Sequence, residues 1–442
     1  MNLVIKKIKQ NKLKTILLFL ILIFYTPVHL NLFEAKKYLY EYFPNLELRK
    51  YVFSKKKLEN LHNDYNVKFL PDTQFLRFDS KIINLELNPN KKKNIVKNIK
   101  KKNRWTNFYI EIVNDEIWTI DAFGIINQIN LDESKNYKKE IKSNFNQNRI
   151  LDTFHEDNID DIFPTILDTL LFKEKIYISY VDRKNGCGEY KIVNAKINYE
   201  NLNFKNFYSS KECSKKFVYG GKMQPYQHQG IEGILFTTAD AKTDVTDHKP
   251  QSDNSIFGKI LFINFENKKP IIFSKGHRNP QGLYVEGNII ISTEHGPRGG
   301  DEINNIKFNK NYGWPIASYG HRYGVDPSLS KTNPVLIYKK NHKDYGFEEP
   351  IFSFIPSIGI AEIIKIPNTF STNWQNNFLV ASLFDRSIYR IEFENNFSRI
   401  KYTEKIFIGQ RIRDLKYHNK LNAIILSLQE KGDLQIIKAY KE

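Results

Sequence analysis

Residues 276 to 320 hold the densest set of side chains able to do chemistry. The stretch GHRNPQGLYVEGNIIISTEHGPRGGDEINNIKFNKNYGWPIASYG places Arg278, Asn279, Gln281, His295, Arg298, Asp301 and Glu302 among glycines and prolines, around one apolar run from Asn288 to Ser292. A short apolar run bounded by turn residues reads as a buried strand. The cations, amides and carboxylates then fall on loops at strand ends, which is how a rigid scaffold presents a site. Any one of these residues alone reads as a turn residue satisfying local backbone; the whole string does not. Near the C-terminus, QRIRDL adds Arg411 and Arg413 at alternate positions, which on a strand share a face. A guanidinium is a planar fork that holds a carboxylate through two parallel bonds, so the chemistry indicated is the seating of an anionic ligand.

The elements that position these loops are short strands. From Asn107 onward, β-rich runs recur: Phe108 to Val113, Glu116 to Ile120, Ile125 to Ile129, Lys175 to Val181, Tyr190 to Ile197, Ile231 to Thr238, Lys259 to Phe265, Ile358 to Ile366, Phe378 to Leu383, Ile388 to Phe393, Leu421 to Leu428 and Leu434 to Lys438. Turn signals such as Asn114-Asp115, Phe123-Gly124 and Lys431-Gly432-Asp433 separate them. That many short strands exceeds a single sandwich, and at roughly 40 to 50 residues per blade it fits a propeller. Residues 31 to 104 lack sustained alternation and read as an extension or linker, partly helical around Glu34 to Tyr42.

The site string also resembles a family. GHRNPQG, EHGPRGGDEIN, NYGWP and SYG are similar to the motifs of the soluble sugar dehydrogenases that depend on pyrroloquinoline quinone (PQQ), the glucose, aldose and sorbosone dehydrogenases. WQNNFLVASLFDRSIYR and QRIRDL continue the resemblance, which is good over about 256 to 440, weaker from 105, and absent before that. It implies an all-β, six-bladed β-propeller over 105 to 442, and hydride transfer from C1 of an aldose to PQQ. It places PQQ carboxylates on Arg278, Asn279, Arg411 and Arg413. It gives a quinone-polarising Ca²⁺ to the carbonyls of Gly296 and Pro297, and a second, structural calcium to Glu302 and the Tyr312 carbonyl. Hard Ca²⁺ prefers such oxygen donors. Two positions depart from the pattern. Val218 stands where the family's base His belongs, and Phe384 where a cofactor-binding Lys belongs; Phe354 replaces a Trp. Val cannot take a proton, which leaves His228, Asp240 and His248 as substitutes close in sequence. The alternative is a non-catalytic propeller that binds a carbohydrate or a protein partner.

Composition and termini set the compartment. The net charge of +18 comes from lysines scattered along the chain, with clusters only at Lys91 to Lys93 and Lys100 to Lys102, so a nucleic-acid partner is not expected. Five lysines between Lys6 and Lys14 precede an apolar run from Ile16 to Tyr25, the order of an export signal. Residues 1 to 30 read as a signal anchor or a cleaved signal, with the rest in the periplasm, on the outer side of the inner membrane. The electron acceptor there would be a quinone or a cytochrome. The two cysteines, Cys187 and Cys213, lie near turn residues, and in an exported chain they either pair or remain two buried thiols.

Overall fold

The computed structural model describes residues 69–73, 76–85, 107–131, 137–145, 166–184, 187–215, 218–241, 248–322 and 338–439. The apolar N-terminal run, the expected helix at 34–42 and the basic clusters lie outside these residues. Among those described, no helix is long and apolar enough to cross a membrane.

The strands form six sheets, antiparallel through their four core strands. In chain order the four core strands of each are as follows. Blade 1 is Phe108–Val113, Glu116–Asp121, Ile126–Asn130 and Tyr137–Ser143. Blade 2 is Ile166–Phe172, Lys175–Lys184, Cys187–Lys196 and Lys205–Ser214. Blade 3 is Gly220–His228, Ile231–Thr238, Lys259–Asn264 and Pro270–Lys275. Blade 4 is Pro280–Glu286, Ile289–Glu294, Asp301–Asn305 and Phe352–Phe354. Blade 5 is Ile360–Lys365, Asn377–Ser382, Ser387–Phe393 and Ile400–Phe407. Blade 6 is Ile412–His418, Ala423–Leu428, Asp433–Ala439 and Leu76–Asn84. The first strand of each blade contacts those of its two neighbours, and blade 6 meets blade 1, so the ring closes as a six-bladed β-propeller.

Why the ring is stable is visible in the second strands. Ala423–Leu428 (AIILSL) is buried throughout. Ala423 and Ile425 join the apolar cluster facing blade 1, while Ile424, Leu426 and Leu428 join the cluster facing blade 5. Asn377–Ser382 divides the same way between blades 4 and 6. Side chains alternate across a strand, so a sheet between two neighbours needs apolar residues on both faces. Six such clusters result, one per blade interface.

The closing strand, Leu76–Asn84, pairs antiparallel with Asp433–Ala439. It lies in the stretch read from sequence as an extension ahead of the propeller. Its outer position hid it: Phe78 and Ile83 are buried while Ile82 is 43% exposed, so the alternation is shared with charged residues. The two cysteines are bonded to each other, Cys187 opening the third strand of blade 2 and Cys213 near the end of the fourth.

Five of the six inner strands break register near their start, between Ile166 and Asp168, Gly220 and Met223, Pro280 and Gly282, Ile360 and Ile363, and Ile412 and Asp414. A bulge re-aims side chains and frees backbone N–H groups. Carboxylates of the preceding blade take up several. Asp168 accepts from the Met223 N–H (2.8 Å), and Asp301 from Gly359 (2.7 Å) and Ile360 (3.0 Å); Asp414 likewise accepts from Ile110 (2.8 Å), on the inner strand that keeps its register.

Candidate functional site

All bulged ends open on one rim of the propeller, and the site string lies there. Gly276 begins it with φ +78°, where a Cβ would come within 2.2 Å of the Asn311 amide oxygen. His277 follows, fully buried, its Nδ1 2.9 Å from a Glu294 oxygen and its Nε2 2.8 Å from the Ser274 hydroxyl, with the Tyr312 ring stacked 4.7 Å away. The other Glu294 oxygen accepts the backbone N–H of Arg278. The Arg278 side chain donates to the His295 carbonyl (2.8 Å) and lies over the Trp314 ring, 5.4 Å from its centroid. Trp314 in turn donates its indole N–H to Asp240 (2.8 Å).

Arg413 reaches the same rim from blade 6. It donates to the side-chain oxygens of Gln281 (3.1 Å) and Gln429 (3.0 Å), and its Nε is buried without a hydrogen-bond partner. The Gln281 amide also donates to Asn279 (3.0 Å), so Asn279, Gln281 and Arg413 form one chain across blades 4 and 6. Arg411 stands just before the same strand, its carbonyl accepting from Gln429 (2.8 Å). His295 lies between the two arginine systems. Burial holds its imidazole down at about 4, with Arg278 and Arg413 adding to this against the pull of Asp301, and its Nε2 is buried without a partner. Two orphaned buried nitrogens beside cations are what a polar, anionic ligand would satisfy. The residues present therefore fit a carboxylate-bearing cofactor.

The loop after Glu294 is a tight turn. A Cβ on Gly296 would meet the Gly300 carbonyl at 2.0 Å, and Asp301 accepts the Gly296 N–H at 3.0 Å. Asp301 thus joins this loop to the start of blade 5. Among the described residues no three His, Cys, Asp or Glu side chains converge as metal ligands, so a calcium here would rest on backbone carbonyls such as those of Gly296 and Pro297. Glu302 is buried. Burial, with Glu294, Glu349 and Asp301 nearby, pushes its carboxyl well above the usual range, and the nearest cationic candidate is His342 Nε2 at 3.8 Å. A buried carboxylate so placed fits a divalent cation. Tyr312 is buried on His277, its hydroxyl donating to the Asn305 carbonyl at 2.6 Å.

The positions that depart from the motif have different surroundings. Val218 is 5% exposed and packs with Leu167, Tyr190 and Met223 in the cluster between blades 2 and 3. Phe384 is 74% exposed in the turn after the second strand of blade 5. Of the substitute bases, Asp240 is at the rim, just past Thr238 and Ala239, which face Gly220 and Tyr219. Its own N–H donates to the Arg278 carbonyl (2.8 Å). His228 ends the same strand, eight residues on and about 26 Å away at strand rise, in a nest of Tyr226, Phe262, Phe273 and Phe308. The structure does not bring it to the rim. His248 precedes a short 3₁₀ turn at Lys249–Gln251. Glu294, Gln429 and Trp314 were given no role from sequence, and Gln281 appeared there only as part of the string.

Comparison with known proteins agrees with this fold. The profile of the family "Glucose / Sorbosone dehydrogenase" matches residues 171–437. The aldose sugar dehydrogenase YliI of Escherichia coli is 29% identical over 177 residues, 39% of this chain and 45% of that protein. An uncharacterised Synechocystis protein is 31% identical over 208 residues, 43% of this chain and 48% of that one. The chain thus spans under half the length of these curated relatives. In fold, the apo-form soluble aldose sugar dehydrogenase of Escherichia coli superposes with TM-score 0.60 at 17% identity, over 82% of this chain and all of that one. A PQQ-bound aldose sugar dehydrogenase of Streptomyces coelicolor gives 0.53 at 15% identity, over 82% of this chain and 99% of that one. With the profile covering more than half of the 442 residues, the chain belongs to the glucose/sorbosone dehydrogenase family.

Proposed function

We propose that this protein is a PQQ-dependent sugar dehydrogenase that oxidises an aldose at C1. The observation that carries the reading is the placement of Arg278, Asn279 and Arg413 on one rim, with the Arg413 Nε buried and unpartnered and Arg411 entering the same strand across a register break. PQQ, when bound, accepts the hydride. Arg278, Arg411 and Arg413 would hold its carboxylates. Gly296 and Pro297 would supply carbonyls to a Ca²⁺, and Glu302 with the Tyr312 carbonyl would serve a second one. We assign the proton of the sugar hydroxyl to Asp240, because it is a carboxylate at the rim, bonded through its N–H to Arg278 and through its side chain to Trp314. A periplasmic location, reached through the lysine-flanked apolar run at the N-terminus, is supported by the bonded Cys187 and Cys213, since disulfides persist in oxidising compartments. Reduced cofactor would pass electrons to a quinone or cytochrome there.

A binding-only propeller is the second reading, favoured by Val218 in its apolar cluster and by exposed Phe384. Reconstitution separates the two. The purified ectodomain is mixed with PQQ and Ca²⁺, and reduction of an artificial acceptor is followed over a panel of aldoses. Cofactor uptake with turnover of at least one aldose is the expected result. Uptake without turnover of any aldose supports the second reading, and absence of uptake rejects the first.

A further inference from the structure

The inner strands carry a second set of charged side chains, at their bulges and just beyond. Glu111 comes from blade 1, Asp168 from blade 2, Lys222 from blade 3, Glu362 from blade 5, and Asp414 and Lys416 from blade 6. The equivalent inner-strand position of blade 4 is Gly282. Glu111, Asp168, Lys222, Glu362 and Asp414 are all buried. The Lys222 ammonium bridges Asp168 (2.7 Å) and Glu362, and lies 5.2 Å from the centre of the Tyr109 ring. Lys416 faces Glu111 at 3.5 Å, and Thr169 donates to the same Glu111 oxygen at 2.9 Å. Tyr109 feels Arg413, Lys222, Asp168 and Asp414 together, which puts the layer within electrostatic reach of the rim.

Four carboxylates share two ammonium groups. Two negative charges therefore lack a cation within the layer, and the nearby Arg413 donates to the neutral amides of Gln281 and Gln429 rather than to a carboxylate. An uncompensated buried charge costs several kcal/mol, more than the binding of a proton. Burial raises the carboxyls of Glu111, Asp168 and Glu362, with Lys222 and Lys416 pulling them down.

We propose that this channel layer is a proton-binding site linked to the rim, and that an anionic ligand seated on Arg278, Arg411 and Arg413 draws a proton into it. Without ligand, the Arg413 charge is not neutralised by its amide partners and acts on the layer through space, as it does on Tyr109. A bound carboxylate claims that charge and adds its own, so the layer's affinity for a proton rises. By reciprocity the anionic ligand binds more tightly as pH falls. The identity of the ligand as PQQ rests on the proposed function; the proton site does not.

Calorimetry of PQQ binding to the ectodomain tests the linkage, with Ca²⁺ present throughout and in two buffers of different ionisation enthalpy at neutral pH. The heats should differ, corresponding to uptake of up to one proton per PQQ, and the difference should fall at least twofold in Glu111→Gln or Glu362→Gln. Equal heats in both buffers, or uptake unchanged in both variants, overturns the linkage. A wild type that gives no heat with PQQ rejects the cofactor reading instead. Infrared spectra of the apo protein then decide the proton site. A carboxylic-acid C=O band that weakens in Glu362→Gln or Glu111→Gln is expected, and a wild type with no such band overturns the proposal.

Discussion

A single side chain decides how tightly the rim can hold an anion. Arg413 has two neutral amide partners, Gln281 and Gln429, and one unpartnered nitrogen, so it is held in place without being neutralised. Replacing it by Ala removes a charge-assisted bond worth roughly 1.5 to 3 kcal/mol. PQQ affinity in Arg413→Ala should therefore fall ~10- to 150-fold, measured by calorimetry, at tenfold per 1.4 kcal/mol. Asp240 should show the opposite signature. General-base help is worth ~10² to 10⁴-fold in rate, so Asp240→Asn should lower kcat by about that factor while PQQ still binds. His228→Ala, in its aromatic nest at the far end of the strand, should lower stability and leave the rate with each sugar alone. Equal rate losses in both variants would refute the assignment of Asp240. At this scale the sequence was legible where residues form a contiguous string, as in GHRNPQG. It was silent where partners come from different blades. Nothing in the chain order of Gln429 or Trp314 announces a partner more than a dozen positions away.

At the scale of strands, legibility followed burial. The second strands are apolar on both faces and stand out as runs, and those from Glu116, Ile231, Phe378 and Leu421 onward were expected from sequence. Several inner strands, Ile166–Phe172, Gly220–His228, Pro280–Glu286 and Ile412–His418, were not expected as strands. They begin with a bulge and carry glycine, proline or charged residues within their first three positions, because those ends form the rim and the channel. The features that build the site are thus the ones that erase the strand signal. The carboxylates that stitch one blade to the next matter too. Asp414→Ala leaves the buried Ile110 N–H without its acceptor and should cost about 1 to 3 kcal/mol in a urea titration. The disulfide closes a separation of 26 residues, for which chain entropy predicts about 3.5 kcal/mol. Cys187→Ser should lower the unfolding midpoint accordingly, and dithiothreitol should then have no further effect on the variant.

For the molecule as a whole, the channel layer sets a pH response that no single blade owns. Glu111 and Glu362 have folded-state carboxyls raised above their ordinary value of 4.5, chiefly by burial. A raised group contributes stability that is complete below the ordinary value and is lost as pH rises through the folded value. Unfolding free energy should therefore decline as pH rises above 4.5, and Glu362→Gln should flatten that slope; an unchanged slope would mean that other groups govern it. Closure by Leu76–Asn84 against Asp433–Ala439 carries a different consequence, one of timing. A ribosome delivers the first partner of that pair long before the second, so the early strand waits while five other blades are made. Blade 6, which bears Arg411 and Arg413, is the last to be completed. An unfinished chain can assemble most of the ring yet lacks the cations that would grip a ligand, so ligand capture is deferred until the circle is whole.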